Sequence, residues 1–212
     1  MDPTASPVSP QLRMLRPDLE GLPRVALPEG YRIRTYQPGD DAHWGRILSE
    51  SFRDRPEGYP FDEMMANDPA FRPERIFFAC CGDEPVGTTS AWHVPAMMPD
   101  AGVIHWVAVL PEHTGKKLGY WLALAALHRM VADDRRCACL NTDDSRLPAI
   151  KTYLNLGFQP LLVHENQRER WRNVFDDLEL PELSERFRKI LEGPVLEAPQ
   201  RPARDFGSES HP

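Results

Sequence analysis

Residues 103–120 read VIHWVAVLPEHTGKKLGY. Val103 to Leu110 is almost wholly apolar, the pattern of a strand buried on both faces. The chain then runs through Pro111-Glu112-His113-Thr114 to two glycines, Gly115 and Gly119. A helix is predicted from there to about Ala132, with Leu118, Leu122, Ala125 and Met130 on one side. Tyr120, Leu124, Leu127 and Val131 line another side, so the helix belongs between layers rather than on the surface. The first turn of a helix carries unpaired backbone N–H groups and partial positive charge, a natural seat for a phosphate. Glycine lets the backbone approach such a ligand closely, and Lys116 and Lys117 add charge. The spacing is that of neither a P-loop nor a G-x-G-x-x-G dinucleotide turn.

Upstream, Tyr31 to Tyr36 alternates apolar and basic residues and reads as a strand with one solvated face. Asp40 or Asp41 caps a helix to about Phe52, with Trp44, Ile47 and Leu48 on one face. A short helix around Phe61 to Ala66 follows. Ile76 to Cys81 and Val86 to Val94 flank Gly82-Asp83-Glu84-Pro85 as a hairpin. Downstream, Arg136 to Thr142 reads as a strand and Pro148 to Leu156 as a short helix ended by Gly157. Phe158 to Val163 starts another strand. Pro181 opens a last helix, with Leu183, Phe187, Ile190 and Leu191 on one face, and Gly193-Pro194 stop it. Glu182 with Arg186, and Glu185 with Lys189, are favourable pairs one turn apart on its other side. The order predicts an α/β (α+β) fold: a mixed central sheet, antiparallel strands first and then a β-α-β unit, with helices on both faces.

The chain has 212 residues, of which 41% are hydrophobic and 27% charged, values that suit one soluble domain with tails. Residues 1–28 hold six of the 22 prolines and 193–212 hold four more; neither stretch has periodic apolar patterning. The first reads as an irregular Pro-rich extension on which Leu12, Leu15, Leu19 and Leu22 can dock. The second reads as a disordered tail, which leaves 29–192 as the domain. With 32 acidic against 25 basic residues the formal charge is −7, which argues against a nucleic-acid partner. The uncharged run Val86 to Pro99 is broken by two prolines, and Met1 to Pro10 has no secretory pattern, so no membrane partner and a cytoplasmic location are expected. Cys80, Cys81, Cys137 and Cys139 form no zinc ligand set and read as reduced core thiols. No metal is expected.

The segment from Val107 resembles the signature of the GNAT superfamily of N-acetyltransferases. Val107-Ala108-Val109-Leu110-Pro111-Glu112 is similar to that family's fourth strand and its exit. Thr114-Gly115-Lys116-Lys117-Leu118-Gly119 lies on its acetyl-CoA loop, [QR]-x-x-G-x-[GA]. Ala149-Ile150-Lys151-Thr152-Tyr153-Leu154-Asn155-Leu156-Gly157-Phe158 resembles its A-x-x-x-Y-x-x-x-G-F ending. Tyr31 to Trp44, with Trp106 to Gly119, is also similar to the C-terminal half of mycothiol synthase, which has two such domains. There are departures. Thr114 stands where Gln or Arg is usual, and Lys117 where the first glycine is usual. Asp143-Asp144-Ser145-Arg146 intervene where Asn is common.

The resemblance implies transfer of an acetyl group from acetyl-CoA, as co-substrate, to an amine acceptor. Val107, Ala108 and Val109 would face the pantetheine arm. Thr114, Gly115, Lys116, Lys117, Leu118, Gly119 and Tyr120 would hold the pyrophosphate. Tyr153 matches the general acid; a phenol of pKa about 10 can protonate a thiolate whose conjugate acid lies near 8.5. His105 is the candidate general base, because it shares strand parity with Val107 and Val109 and an imidazole titrates near 6.5; a hydrogen-bonded core histidine is the other reading. Met64-Met65 and Met97-Met98 fall where the family builds its acceptor site, and packing is their plainer role. The alternative function is a non-catalytic acetyl-CoA-binding module. A monomer or a homodimer fits either.

Overall fold

The computed structural model describes residues 10–95 and 97–196. Positions 1–9 of the expected extension and 197–212 of the expected tail lie outside them. The sheet has seven strands, β1 (Leu12–Arg16), β2 (Tyr31–Thr35), β3 (Ile76–Cys81), β4 (Glu84–Trp92), β5 (Ala101–Val109), β6 (Cys137–Thr142) and β7 (Gln159–Leu161). Their spatial order is β2-β3-β4-β5-β6-β1-β7. The pairs from β2 to β5 are antiparallel and β5 runs parallel to β6. This is the mixed sheet expected, with its hairpin at Gly82-Asp83.

Helices cover both faces. α1 (Asp40–Phe52) buries Trp44, Ile47 and Leu48 with Phe78, Cys80 and Val103 on one face. α2 (Leu118–Ala132) buries Leu122 to Leu127 and Met130 on the other. α3 (Leu147–Asn155) and α4 (Gln167–Asp177) join that second face through Ile150, Tyr153, Trp171 and Phe175. Among the described residues no helix is long and apolar enough to cross a membrane.

The structure departs from the sequence reading in five places. Leu12–Arg16 is not irregular: β1 lies between β6 and β7, antiparallel to both, with Leu12 and Met14 fully buried. Docking by Leu19 and Leu22 does occur. α4 was not expected, because its apolar face of Trp171, Val174 and Phe175 is set among charges. The Pro181 helix breaks at Phe187 (φ −100°, ψ 12°) into α5 (Glu182–Arg186) and α6 (Arg188–Leu191), and Glu185 pairs with Arg188 instead of Lys189. The side chain of Asp40 does not cap α1. It accepts from both ends of the Arg34 guanidinium, at 2.5 and 2.8 Å, and from the Gln37 N–H at 2.6 Å. Lastly, β5 is not buried throughout: 101–104 and Ala108 are, whereas His105, Trp106 and Val107 are half-buried.

Candidate active site

That half-buried stretch is where the sheet opens. β5 pairs with β6 only from Ala101↔Cys137 to Val103↔Cys139. Beyond it β6 keeps its partner β1 and β5 keeps β4, so among the described residues the edge of β5 over 104–109 faces no strand. Alternate backbone N–H groups on such an edge have no ladder partner and are free to bind a ligand.

The same stretch carries a β-bulge. Thr88 pairs with Ala108 and Ser90 with His105, so Thr89 alone spans Trp106 and Val107. Trp106 has φ 53°, the left-handed region that a bulky residue enters only under constraint. The His105 carbonyl accepts from the Ser90 hydroxyl at 3.1 Å and the Thr89 hydroxyl at 3.4 Å. The bulge also overturns the parity expected for His105. Ala101 and Val103 pack on the α1 side, and Val107 packs on the α2 side. His105 stays with the α1 side: its ring lies 6.1 Å from Trp92, which belongs to that core. It therefore does not share a face with Val107.

β5 ends in the loop that opens α2. Gly115 has φ 77°, and Lys117, the residue capping α2, has φ 57°. Lys117 thus takes the left-handed conformation that glycine adopts cheaply, and the loop keeps that turn with a lysine in place. A cleft of about 280 Å³ lies over it, lined by Val109, His113, Thr114, Gly115, Lys117, Leu118, Gly119, Tyr120 and Thr152. Seven of the residues expected to hold the cofactor meet there. The other three do not line it. Val107 lies beneath, where a Cβ on Gly119 would sit 3.9 Å from its Cγ1. Ala108 is buried in the α1-side core, and Lys116 donates to the Glu112 carbonyl at 3.2 Å.

His113 and Thr152 are additions. His113 stood inside the quoted loop, and its ring is the signal that could have been read; Thr152 comes from α3 and had none.

Tyr153 follows Thr152 on α3. It is 7% exposed, packs edge-on against Phe158 at 6.0 Å, and no hydrogen bond forms to its hydroxyl among the described residues. Burial pushes its phenol up to about 12, against the opposing charge of Arg146. His105 shows the converse. Burial lowers its imidazole to about 4, and its Nδ1 has no hydrogen-bond partner among the described residues. Met65 is buried in the α1-side core, with Met64, Met97 and Met98 packed against it. Cys80 and Cys139 are buried free thiols, and burial pushes Cys139 up to about 12, so neither offers a thiolate.

Along β5 and its exit, a splayed parallel pair, a bulge and the glycine loop that opens α2 follow one another. Residues 43–158 match the sequence profile of the Acetyltransferase (GNAT) family, and the chain belongs to that family. Among curated relatives, a mycothiol acetyltransferase of Thermomonospora curvata is 34% identical over 154 residues, 69% of this chain and 50% of that protein. One from Mycolicibacterium smegmatis is 34% identical over 161 residues, 72% of this chain and 54% of its own. The chain thus spans about half the length of the relatives it matches. Of solved structures, a GCN5-related N-acetyltransferase from Sphaerobacter thermophilus superposes with a TM-score of 0.56 at 21% identity, over 72% of this chain and 49% of that one. It supports the fold.

Proposed function

We propose that this chain is an N-acetyltransferase that moves the acetyl group of acetyl-CoA to a primary amine by direct attack. The observation that carries this reading is the cleft at the head of α2, lined by the glycine loop and touched by the residue next to Tyr153. The helix head and Lys117 bind the cofactor's phosphates, and the pantetheine arm lies along the open edge of β5. The amine nitrogen attacks the thioester carbonyl, and an edge N–H near the bulge stabilises the oxyanion. As the carbon–sulfur bond breaks, Tyr153 gives its proton to the departing thiolate; a phenol held near 12 is protonated at neutral pH. The amine's proton is assigned to His105, which burial keeps neutral at pH 7, although the same burial, lowering it to about 4, weakens it as a base. The four free cysteines favour a reducing, cytoplasmic setting.

The test is a thermal melt with and without acetyl-CoA, followed by thiol release with an acceptor panel. The panel includes a mycothiol-type substrate, since the relatives carry that name, beside peptide N-termini, lysine, amino sugars and polyamines. Stabilisation by acetyl-CoA and amine-dependent thiol release are expected. A folded protein that millimolar acetyl-CoA does not stabilise overturns the reading.

A further inference from the structure

Tyr31 opens β2, the outermost strand, and His113 lies in the turn before α2. The two meet across 82 positions of sequence: the Tyr31 hydroxyl is 2.8 Å from His113 Nδ1 and the rings touch edge-on at 5.8 Å. Backbone pairing fixes the tyrosine's place, with Tyr31 opposite Cys81 and the Gly82 N–H on the Gly30 carbonyl at 3.1 Å. The histidine lines the cleft.

A phenolic O–H is a stronger donor than a neutral imidazole N–H, so the hydroxyl donates and Nδ1 accepts. The ring proton is then on Nε2, for the hydrogen bond at one nitrogen sets the tautomer at the other. Other side-chain donors of the cleft are already committed. The Thr114 hydroxyl donates to the Pro111 carbonyl at 2.8 Å and the Thr152 hydroxyl to the Pro148 carbonyl at 2.9 Å. His113, Lys117 and Tyr120 remain, and the His113 ring is held by a hydrogen bond to a second side chain. Among the described residues the lining holds no carboxylate, so an anion meets no like charge beside His113 and Lys117.

We propose that His113 binds a phosphate group of the cofactor through Nε2–H, and that Tyr31 is a positioning residue that fixes its tautomer. This rests on the proposed use of acetyl-CoA and adds a contact from the far edge of the sheet. The phosphate is either in the pyrophosphate or on the ribose.

Calorimetric affinities for CoA, dephospho-CoA and pantetheine test it, in the unaltered protein and in His113→Ala, His113→Asn, His113→Gln and Tyr31→Phe. Glutamine places an N–H near the Nε2 position; asparagine reaches only the Nδ1 position. His113→Ala and His113→Asn are expected to weaken CoA about tenfold, the scale of a hydrogen bond to a charged group, and His113→Gln to stay within about threefold. Tyr31→Phe should weaken CoA about fivefold, yet have no further effect combined with His113→Ala, because the tyrosine acts through that ring. A loss retained with dephospho-CoA assigns the contact to the pyrophosphate; a loss that vanishes assigns it to the ribose phosphate. Pantetheine, which has no phosphate, should bind all variants alike. The proposal is overturned if the unaltered protein and His113→Ala bind CoA equally, if pantetheine suffers the same loss, or if the two substitutions add. An unaltered protein that binds no CoA overturns the proposed function and this contact with it. Tyr31→Phe and His113→Gln keep shape and volume, so they carry the test if His113→Ala melts early.

Discussion

The rings of His105 and Trp106 lie 5.0 Å apart, although the two residues are neighbours on one strand. Successive side chains of a regular strand point to opposite faces. The left-handed Trp106 cancels that alternation, and both rings end on the α1 side, Trp106 within 5.5 Å of Tyr59 and 6.0 Å of Trp44. Among the described residues His105 Nδ1 and Trp106 Nε1 are both buried without hydrogen-bond partners. The left-handed residue at the bulge brings Trp106 to the side His105 already occupies and sends Val107 to the other.

Burial of His105 makes stability depend on pH in a stated direction. Its folded pKa is about 4, below the ordinary 6.5. Between those values the unfolded chain binds the proton and the folded chain does not, so stability falls as pH drops through this window. The full effect is up to about 3 kcal/mol, reached below pH 4 and absent above about 6.5. His105→Phe removes this contribution. Urea unfolding at pH 7, 5.5 and 4.5 should show the stability difference between the two proteins shifting toward the variant as pH falls. A difference that does not move with pH contradicts the buried, neutral imidazole.

β1 gives the second prediction. Removal of residues 1–17 leaves β6 and β7 with open edges and exposes the sites of Leu12 and Met14, each worth about 1.5–3 kcal/mol buried. It also removes Arg16, whose guanidinium bonds the carbonyls of Asp18, Glu20 and Leu156. The melting temperature should fall by about 10 °C or more, or the protein should aggregate. A melt within about 2 °C of the full chain would mean that the strand is an ornament.

What the sequence showed and hid follows from how local each signal was. The β5–loop–α2 segment and the Tyr153-to-Phe158 ending are legible because glycine, helix head and apolar strand are contiguous. Gly157, expected as the residue that ends α3, has φ 82°. β1 was hidden because Leu12 makes a strand against Thr142, and Met14 against Leu140 and Pro160, far along the chain. α4 was missed, because its Trp171, Val174 and Phe175 are set among charges. The bulge had no signal at all, since nothing in IHWV marks a tryptophan for positive φ, and the face shared by His105 and Val107 was misread on that account.

Lys117 tests the loop. A non-glycine residue at φ 57° carries a backbone cost on the order of 1 kcal/mol, which glycine does not. Lys117→Gly should raise stability slightly and keep the turn. It also deletes a cation beside the cleft, so CoA affinity should fall and its salt dependence flatten. Lys117→Ala loses the charge and keeps the strain, and so should bind CoA as Lys117→Gly does while melting lower. Equal melting of the two variants would show that the left-handed turn is not what the chain adopts.

Tyr153→Phe isolates the hydroxyl. The phenol's oxygen makes no hydrogen bond among the described residues, and its ring is fixed against Phe158. Losing the oxygen therefore leaves packing intact, and stability should change by less than about 1 kcal/mol. Acetyl-CoA binding should be nearly unchanged, because the proton is needed only as the carbon–sulfur bond breaks. The whole effect belongs in kcat, lowered by about 10²–10⁴-fold with little change in KM for acetyl-CoA. An acyl donor with a more acidic thiol needs less help, so the ratio between unaltered protein and variant should shrink as the leaving group's pKa falls. The alkaline limb of kcat offers a second readout: a phenol held at about 12 keeps its proton to high pH, so no loss attributable to Tyr153 should appear below about pH 10. Near-normal turnover by a well-folded Tyr153→Phe protein would make Tyr153 a packing residue and leave thiolate departure to another donor.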